Sequence, residues 1–361
     1  MALKLFHMAP PVRRLAAALF CLTLLGGGRV HGEVPVSGPP DQGAGAVVFA
    51  YGRFGEDQYG PVSIGLDQFE QHLEELADGA YTVMPLPAVL DRLRRGAPLP
   101  DRTVALTIDD AHRSVYREAF PRLKKAGLPF TLFVAPDPID AGAETHMTWA
   151  QVREVARAGA AIGVLPAAGL SMPQRTVQQN AADLARAVER VEAELGVRPT
   201  LLAYPFGSYS LAVSDLARRQ GFDAAFSQSS GVAHARSDAL ALPRFFMNES
   251  FGGIDRFRLA ANALPLAVAD VTPADPMLRS PPALNPPSVG FTVTGELRDL
   301  DRLACFVSGQ GRATLERLDG NRIELRIAEE MPPGRTRLNC TLPAADGRWR
   351  WFGMQFLVPD P

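Results

Sequence analysis

The sequence predicts an α/β protein: a parallel (β/α) barrel or sheet of about 230 residues, followed by a small all-β domain of the sandwich type. Three observations carry this. From Ala46 to about Ser227, short β-branched and aliphatic runs alternate with amphipathic helical stretches. One of those runs, Thr103-Val-Ala-Leu-Thr-Ile, ends in two adjacent carboxylates, Asp109 and Asp110. Such a run reads as a buried parallel strand, and its acids reach the C-terminal edge of the sheet, where α/β folds keep their chemistry. Beyond Ala263 the texture changes, first to seven prolines between 265 and 287 and then to short alternating segments.

Residues 46–51 form the first strand. Leu66, Phe69, Leu73 and Leu76 recur at helical spacing and predict a helix over 66–77, with Glu70, His72, Glu74 and Glu75 on its wet face. A short strand at 81–84 and a helix at 87–95 lead to the Asp109-Asp110 strand. Then come a helix at 114–126 and a strand at 130–135. A helix capped by Thr148 and a strand at 160–165 follow. The last barrel elements are a long helix at 176–195, a strand at 200–204, a helix at 211–220 and a strand at 224–227. Residues 264–287 read as a proline-rich linker draped on a surface. Residues 288–361 read as a β-sandwich in which Cys305 and Cys340 can pair, with Trp349 and Trp351 on one strand face.

The first 32 residues have a different character. Lys4, Arg13 and Arg14 precede an apolar run over 15–25, followed by Gly26-Gly-Gly and the small-residue site Val30-His-Gly32. That is the pattern of a secretory signal peptide, and it implies a protein exported to the periplasm or the extracellular space, with no transmembrane segment after cleavage. Four basic residues lie in the leader (Lys4, Arg13, Arg14 and Arg29), so 33 basic residues face 39 acidic ones in the remainder, a net charge of −6. That balance does not suggest a nucleic-acid partner.

Several segments, in order, resemble the polysaccharide deacetylase (NodB-homology) family of carbohydrate esterases. They are Leu99-Pro-Asp-Arg-Thr-Val-Ala-Leu-Thr-Ile-Asp-Asp110, Pro121-Arg-Leu-Lys-Lys-Ala-Gly-Leu-Pro-Phe-Thr-Leu-Phe-Val134, Met147-Thr-Trp-Ala-Gln-Val152 and Leu202-Ala-Tyr-Pro-Phe-Gly207. The resemblance implies an irregular (β/α) barrel over 33–263 and hydrolysis of N-acetyl groups on an amino-sugar glycan of chitooligosaccharide or exopolysaccharide type. It also implies a divalent metal, zinc or similar, held by one Asp and two His. On the matching positions, Asp109 is the base and Asp110 a metal ligand. Tyr204 offers a backbone N–H to the oxyanion, and Phe206 and Gly207 meet the sugar.

The sequence departs from the family at the histidine pair. The matching positions, after Ile162-Gly163, are Leu165 and Gly169, neither of which binds metal. The late Leu-x-His segment falls on Leu242-Pro-Arg-Phe-Phe-Met-Asn248, which has no His. One carboxylate contributes ~3–4 kcal/mol to a metal site, which alone holds zinc only near the millimolar level. Of the histidines after the leader, His72, His112, His146 and His234, His112 is the one placed by sequence beside Asp110 as a replacement ligand; His146 is more remote. Three readings therefore stay open. The chain is a deacetylase with an altered metal site, or a catalytically inactive relative that binds glycan or assists envelope assembly. In the third, the C-terminal domain docks an envelope protein and the barrel is its scaffold.

Overall fold

The computed structural model describes residues 45–278, 285–295 and 297–359. The leader over 1–32 lies outside the described residues. The barrel strands are β1 (Gly45–Tyr51), β2 (Thr103–Asp109), β3 (Phe130–Val134), β4 (Ala161–Val164), β5 (Leu201–Ala203), β6 (Ala224–Phe226) and β7 (Val232–His234). Their order across the sheet is β7-β1-β2-β3-β4-β5-β6. The pairs from β1 to β6 are parallel and β7 runs antiparallel to β1.

Residues 242–246 close the curl. Leu242 bridges Phe226 at the last strand, and Phe245–Phe246 pairs with Phe49 and Ala50 of the first. Arg244 lies between those two attachments, so its side chain is delivered into the interior. The expectation of a parallel barrel is met because strands such as β1 and β2 are apolar on both faces. Both are buried almost throughout, one face toward the helices and the other toward the barrel interior.

Helices start where the sequence places caps. Thr148 Oγ1 accepts from Gln151 N–H ahead of Trp149–Arg157, and Thr176 Oγ1 accepts from Gln179 N–H ahead of Val177–Leu195. His72 departs from expectation. It is fully buried, stacked on Phe257 at 4.0 Å, with Nδ1 against Tyr51 Oη and Nε2 against Gly252 O. The helix Leu66–Asp78 is covered on a second side by Ile254–Ala261, which lies almost 180 residues downstream and is invisible to local periodicity.

The expected linker over 264–287 is partly sheet. Leu264–Pro265 pairs with the last strand and Val268–Thr272 pairs with Val289–Val293; residues 279–284 lie outside the described residues. Pro265 and Pro273 sit at strand ends, where a missing N–H interrupts no ladder. The C-terminal domain is two facing sheets, of five and four strands. Their shared core includes Phe291, Leu338 and Phe356, and Cys305 and Cys340 form a disulfide between directly paired positions. Trp351 packs its indole edge-on to Phe245 of the barrel at 5.2 Å and donates to Asn339, whereas Trp349 is partly exposed. The final strand, Trp349–Val358, runs against the barrel so closely that a Cβ on Gly353 would lie 2.2 Å from Ser230 O.

Candidate metal and hydrolytic site

The apolar run of β2 carries Asp109 and Asp110 to the C-terminal rim, as expected from sequence. The two carboxylates then diverge. Asp109 ends the strand and turns into the barrel, where Arg244 meets it with Nη1 at 2.5 Å from Oδ1 and Nη2 at 2.8 Å from Oδ2. The guanidinium is fully buried. Its other hydrogen bonds go to Thr107 Oγ1 and Ser227 O, and it lies 5.5 and 5.7 Å from the ring centres of Phe133 and Phe226. Gln228 Nε2 adds a contact of 3.4 Å to Asp109 Oδ2. A carboxylate has about four lone-pair directions, and three are engaged here. One remains for a proton.

Asp110 takes the left-handed backbone conformation, φ 66°, which Asp tolerates better than most residues. That turn points its side chain away from Asp109. Oδ1 accepts from Ala111 N–H, and Oδ2 lies 3.5 Å from Nε2 of both His112 and His146. The two imidazoles, 4.7 Å apart by ring centres, belong to loops pinned together by backbone. Arg113 N–H donates to Thr145 O and Met147 N–H to Ala111 O, with His112 and His146 directly paired between them.

Three facts favour a metal over a hydrogen-bonded cluster. A separation of 3.5 Å is at the outer limit of a hydrogen bond, yet close to the ~3.3 Å edge of a tetrahedron with 2.0–2.1 Å metal–ligand bonds. One potential donor atom from each of the three residues lies within 4.8 Å of the others. His112 turns Nε2 toward Asp110, and burial pushes this imidazole down to about 4, so it stays neutral, the form that ligates. Burial works to raise the Asp110 carboxyl, but the His146 hydrogen bond and the neighbouring imidazoles leave it below the usual carboxylate range.

His112 therefore lies beside Asp110, and His146, which the sequence reading set as more remote, lies equally close. The strand that ends just before Asp110, β2, and the strand that precedes His146, β3, are adjacent and parallel, which places both loops on one rim. Leu165 is buried in apolar packing and Gly169 makes a turn with φ 65°, so neither contributes a ligand.

Tyr204 requires a correction. It is fully buried, its hydroxyl donates to Leu240 O and its N–H donates to Phe226 O, so neither group is available to an oxyanion. The next N–H in the turn is that of Phe206, since Pro205 has none. Phe206 is 48% exposed with φ 58°, presenting its ring to solvent. Gly207 is obligatory, with φ 72° and Gln228 N only 2.3 Å from where a Cβ would stand. That contact joins the turn to the residue touching Asp109. A cavity of about 920 Å³ lies at the opposite strand ends near Ala161, Thr200 and Ala224, away from these carboxylates.

Comparison with known proteins points to the same fold. Residues 96–225 match the family model described as polysaccharide deacetylase. That match lies within the barrel, and it is this part of the chain that is similar to the family. The YxkH protein of Bacillus subtilis, named for the same family, is 27% identical over 187 residues, which is 52% of this chain and 66% of that protein. The poly-β-1,6-N-acetyl-D-glucosamine N-deacetylase of Escherichia coli K12 is 24% identical over 225 residues, 51% of this chain and 33% of its own length. The chain thus spans less than two-thirds of both curated relatives. Among solved structures, IcaB from Ammonifex degensii superposes with TM-score 0.54 at 26% identity, covering 62% of this chain and 99% of that one. A Streptococcus pyogenes deacetylase, PplD in complex with acetate, gives 0.56 at 19% identity, covering 61% and 99%. The deacetylase likeness thus covers about three-fifths of the chain.

Proposed function

We propose that this protein hydrolyses N-acetyl groups on an amino-sugar glycan, using a divalent metal held by Asp110, His112 and His146. The observation that carries the proposal is the convergence of those three side chains beside a second, Arg-held carboxylate. A metal bound there would supply a water of lowered pKa and a positive charge for the carbonyl oxygen. The chain's own residues do the rest. Asp109 accepts a proton from the attacking water through its one free lone pair, and Arg244 and Gln228 fix its direction. The Phe206 N–H offers a hydrogen bond to the oxyanion in place of Tyr204. As the C–N bond breaks, Asp109 returns the proton to the departing amine, so acetate and a free amino sugar leave and the carboxylate is regenerated. Phe206 gives the sugar an apolar face.

The leader pattern supports an activity outside the cytoplasm. No helix among the described residues is long and apolar enough to cross a membrane. The reading is tested by acetate release from acetylated chitooligosaccharides and from poly-β-1,6-N-acetylglucosamine oligomers, with zinc, cobalt or nickel supplied. Release abolished by Asp109→Asn and by Asp110→Ala is the expected result; no release with any metal overturns it. A catalytically inactive glycan-binding protein is the second reading, favoured by how fully Asp109 is engaged. It requires saturable binding without turnover.

A further inference from the structure

A cationic cluster lies where the β-sandwich meets the barrel, beside the Phe206 turn. Arg335 lies over the Phe206 ring at 5.3 Å, and its Nη1 donates to Phe206 O at 3.1 Å. Gln355 donates to the same carbonyl and to Ser208 Oγ, fixing that turn against the sandwich. Arg337, two residues along the strand and so on the same face, reaches the ring of Phe251 at 6.0 Å. Arg256, from the barrel helix Ile254–Ala261, covers the same ring at 5.0 Å. Two domains thus direct three guanidiniums onto two partly exposed rings.

The cluster lacks the counter-charge that this chain supplies to arginines elsewhere. Arg186, Arg190 and Arg258 each pair with carboxylates. Among the described residues, no carboxylate pairs with Arg256, Arg335 or Arg337. Arg256 Nε is buried without an acceptor. Burial, with the charge of the other two arginines, pushes Arg337 down to about 10. A protein that keeps three cations together against mutual repulsion, without an internal acid, leaves room for an external one. Guanidinium forks match planar carboxylates, and the exposed faces of Phe206 and Phe251 suit the C–H face of a sugar.

We propose that Arg256, Arg335 and Arg337, with Phe206 and Phe251, form a subsite for an acidic sugar, a glycan unit carrying a carboxylate. The subsite continues from the turn that approaches Asp109 through Gln228. The C-terminal domain then selects the polymer presented to the hydrolytic site. This rests on the glycan reading above, but binding is measured without turnover, so the two fail separately.

The test is calorimetric binding of hexagalacturonate and of neutral chitohexaose to the full chain at low and high salt, with Arg335→Gln and Arg337→Gln as single variants. Arg335 is exposed, so its variant folds even if the second does not. The acidic hexamer is expected to bind at least about tenfold tighter than the neutral one at low salt, to weaken at high salt, and to lose about tenfold in either variant. Equal affinity for the two hexamers, or affinity unchanged in Arg335→Gln, overturns the subsite and leaves the deacetylase reading standing. Full displacement by equimolar inorganic phosphate makes it a free-anion site and also overturns it. Retained arginine-dependent binding without acetate release from any acetylated glycan keeps the subsite and removes the deacetylase reading.

Discussion

Replacing Arg244 with methionine removes a fully buried cation and leaves Asp109, itself only 9% exposed, without its main partner. The lost interactions are the two contacts to Asp109 and the bonds to Thr107 and Ser227 O. Breaking one side of a buried ion pair typically costs ~3–5 kcal/mol, because the surviving charge keeps its desolvation penalty without the attraction that offset it. Gln228 remains within reach of Asp109, which favours the lower end, ~3 kcal/mol. Asp109→Leu should cost a similar amount by stranding the guanidinium. The double variant should be milder than the sum by ~2 kcal/mol or more, since two apolar side chains then fill the space between Phe133 and Phe226. Urea denaturation of the four proteins, followed by tryptophan fluorescence, measures the cycle. Single-variant losses below ~1 kcal/mol, or strictly additive losses, would refute a tightly coupled buried pair.

Three further outcomes follow from the same structure. Gly207→Ala should lower acetate release more than tenfold, because its Cβ meets the Gln228 backbone at 2.3 Å; unchanged turnover would show that the turn is free to shift. The buried His72 has its pKa lowered by burial from 6.5 to about 4, so the unfolded chain binds the proton first. Its contribution is complete above pH 6.5 and is lost as pH falls toward 4, about 3 kcal/mol in all; a His72→Gln variant whose stability falls as steeply over that window would contradict this. Reducing the Cys305–Cys340 disulfide, which closes a 35-residue separation, should destabilise the sandwich by ~3–4 kcal/mol in denaturant melts, and an unchanged midpoint would count against it.

The β2 strand and its two acids were legible because a continuous apolar run ending in carboxylates has few other uses in a chain of this pattern. The helix cap at Thr148 was legible for an equally local reason. His146 was not, since its approach to Asp110 depends on two loops pairing through Arg113–Thr145 and Ala111–Met147, contacts with no periodic signature. Arg244 was read only as a place where a histidine was missing. Its role comes from the closing segment at 242–246, which turns the side chain inward. Tyr204 carried a motif position but its N–H belongs to the sheet, a distinction that only strand register reveals. His72 was misjudged because a distant helix covers the face that periodicity assigned to water. The prolines near 264–273 concealed short strands because they fall at strand ends.

The central claim is that Asp110, His112 and His146 together bind a metal ion. Three ligands at ~3–4 kcal/mol each give about 10 kcal/mol, a sub-micromolar dissociation constant, and deleting one weakens binding at least about a hundredfold. The measurement is zinc content and affinity of the protein from residue 33 onward, wild type against His146→Ala, by competition with a chromophoric chelator. One equivalent held at sub-micromolar affinity and lost in His146→Ala is the predicted result. No retained equivalent, or one indifferent to His146, would contradict the account.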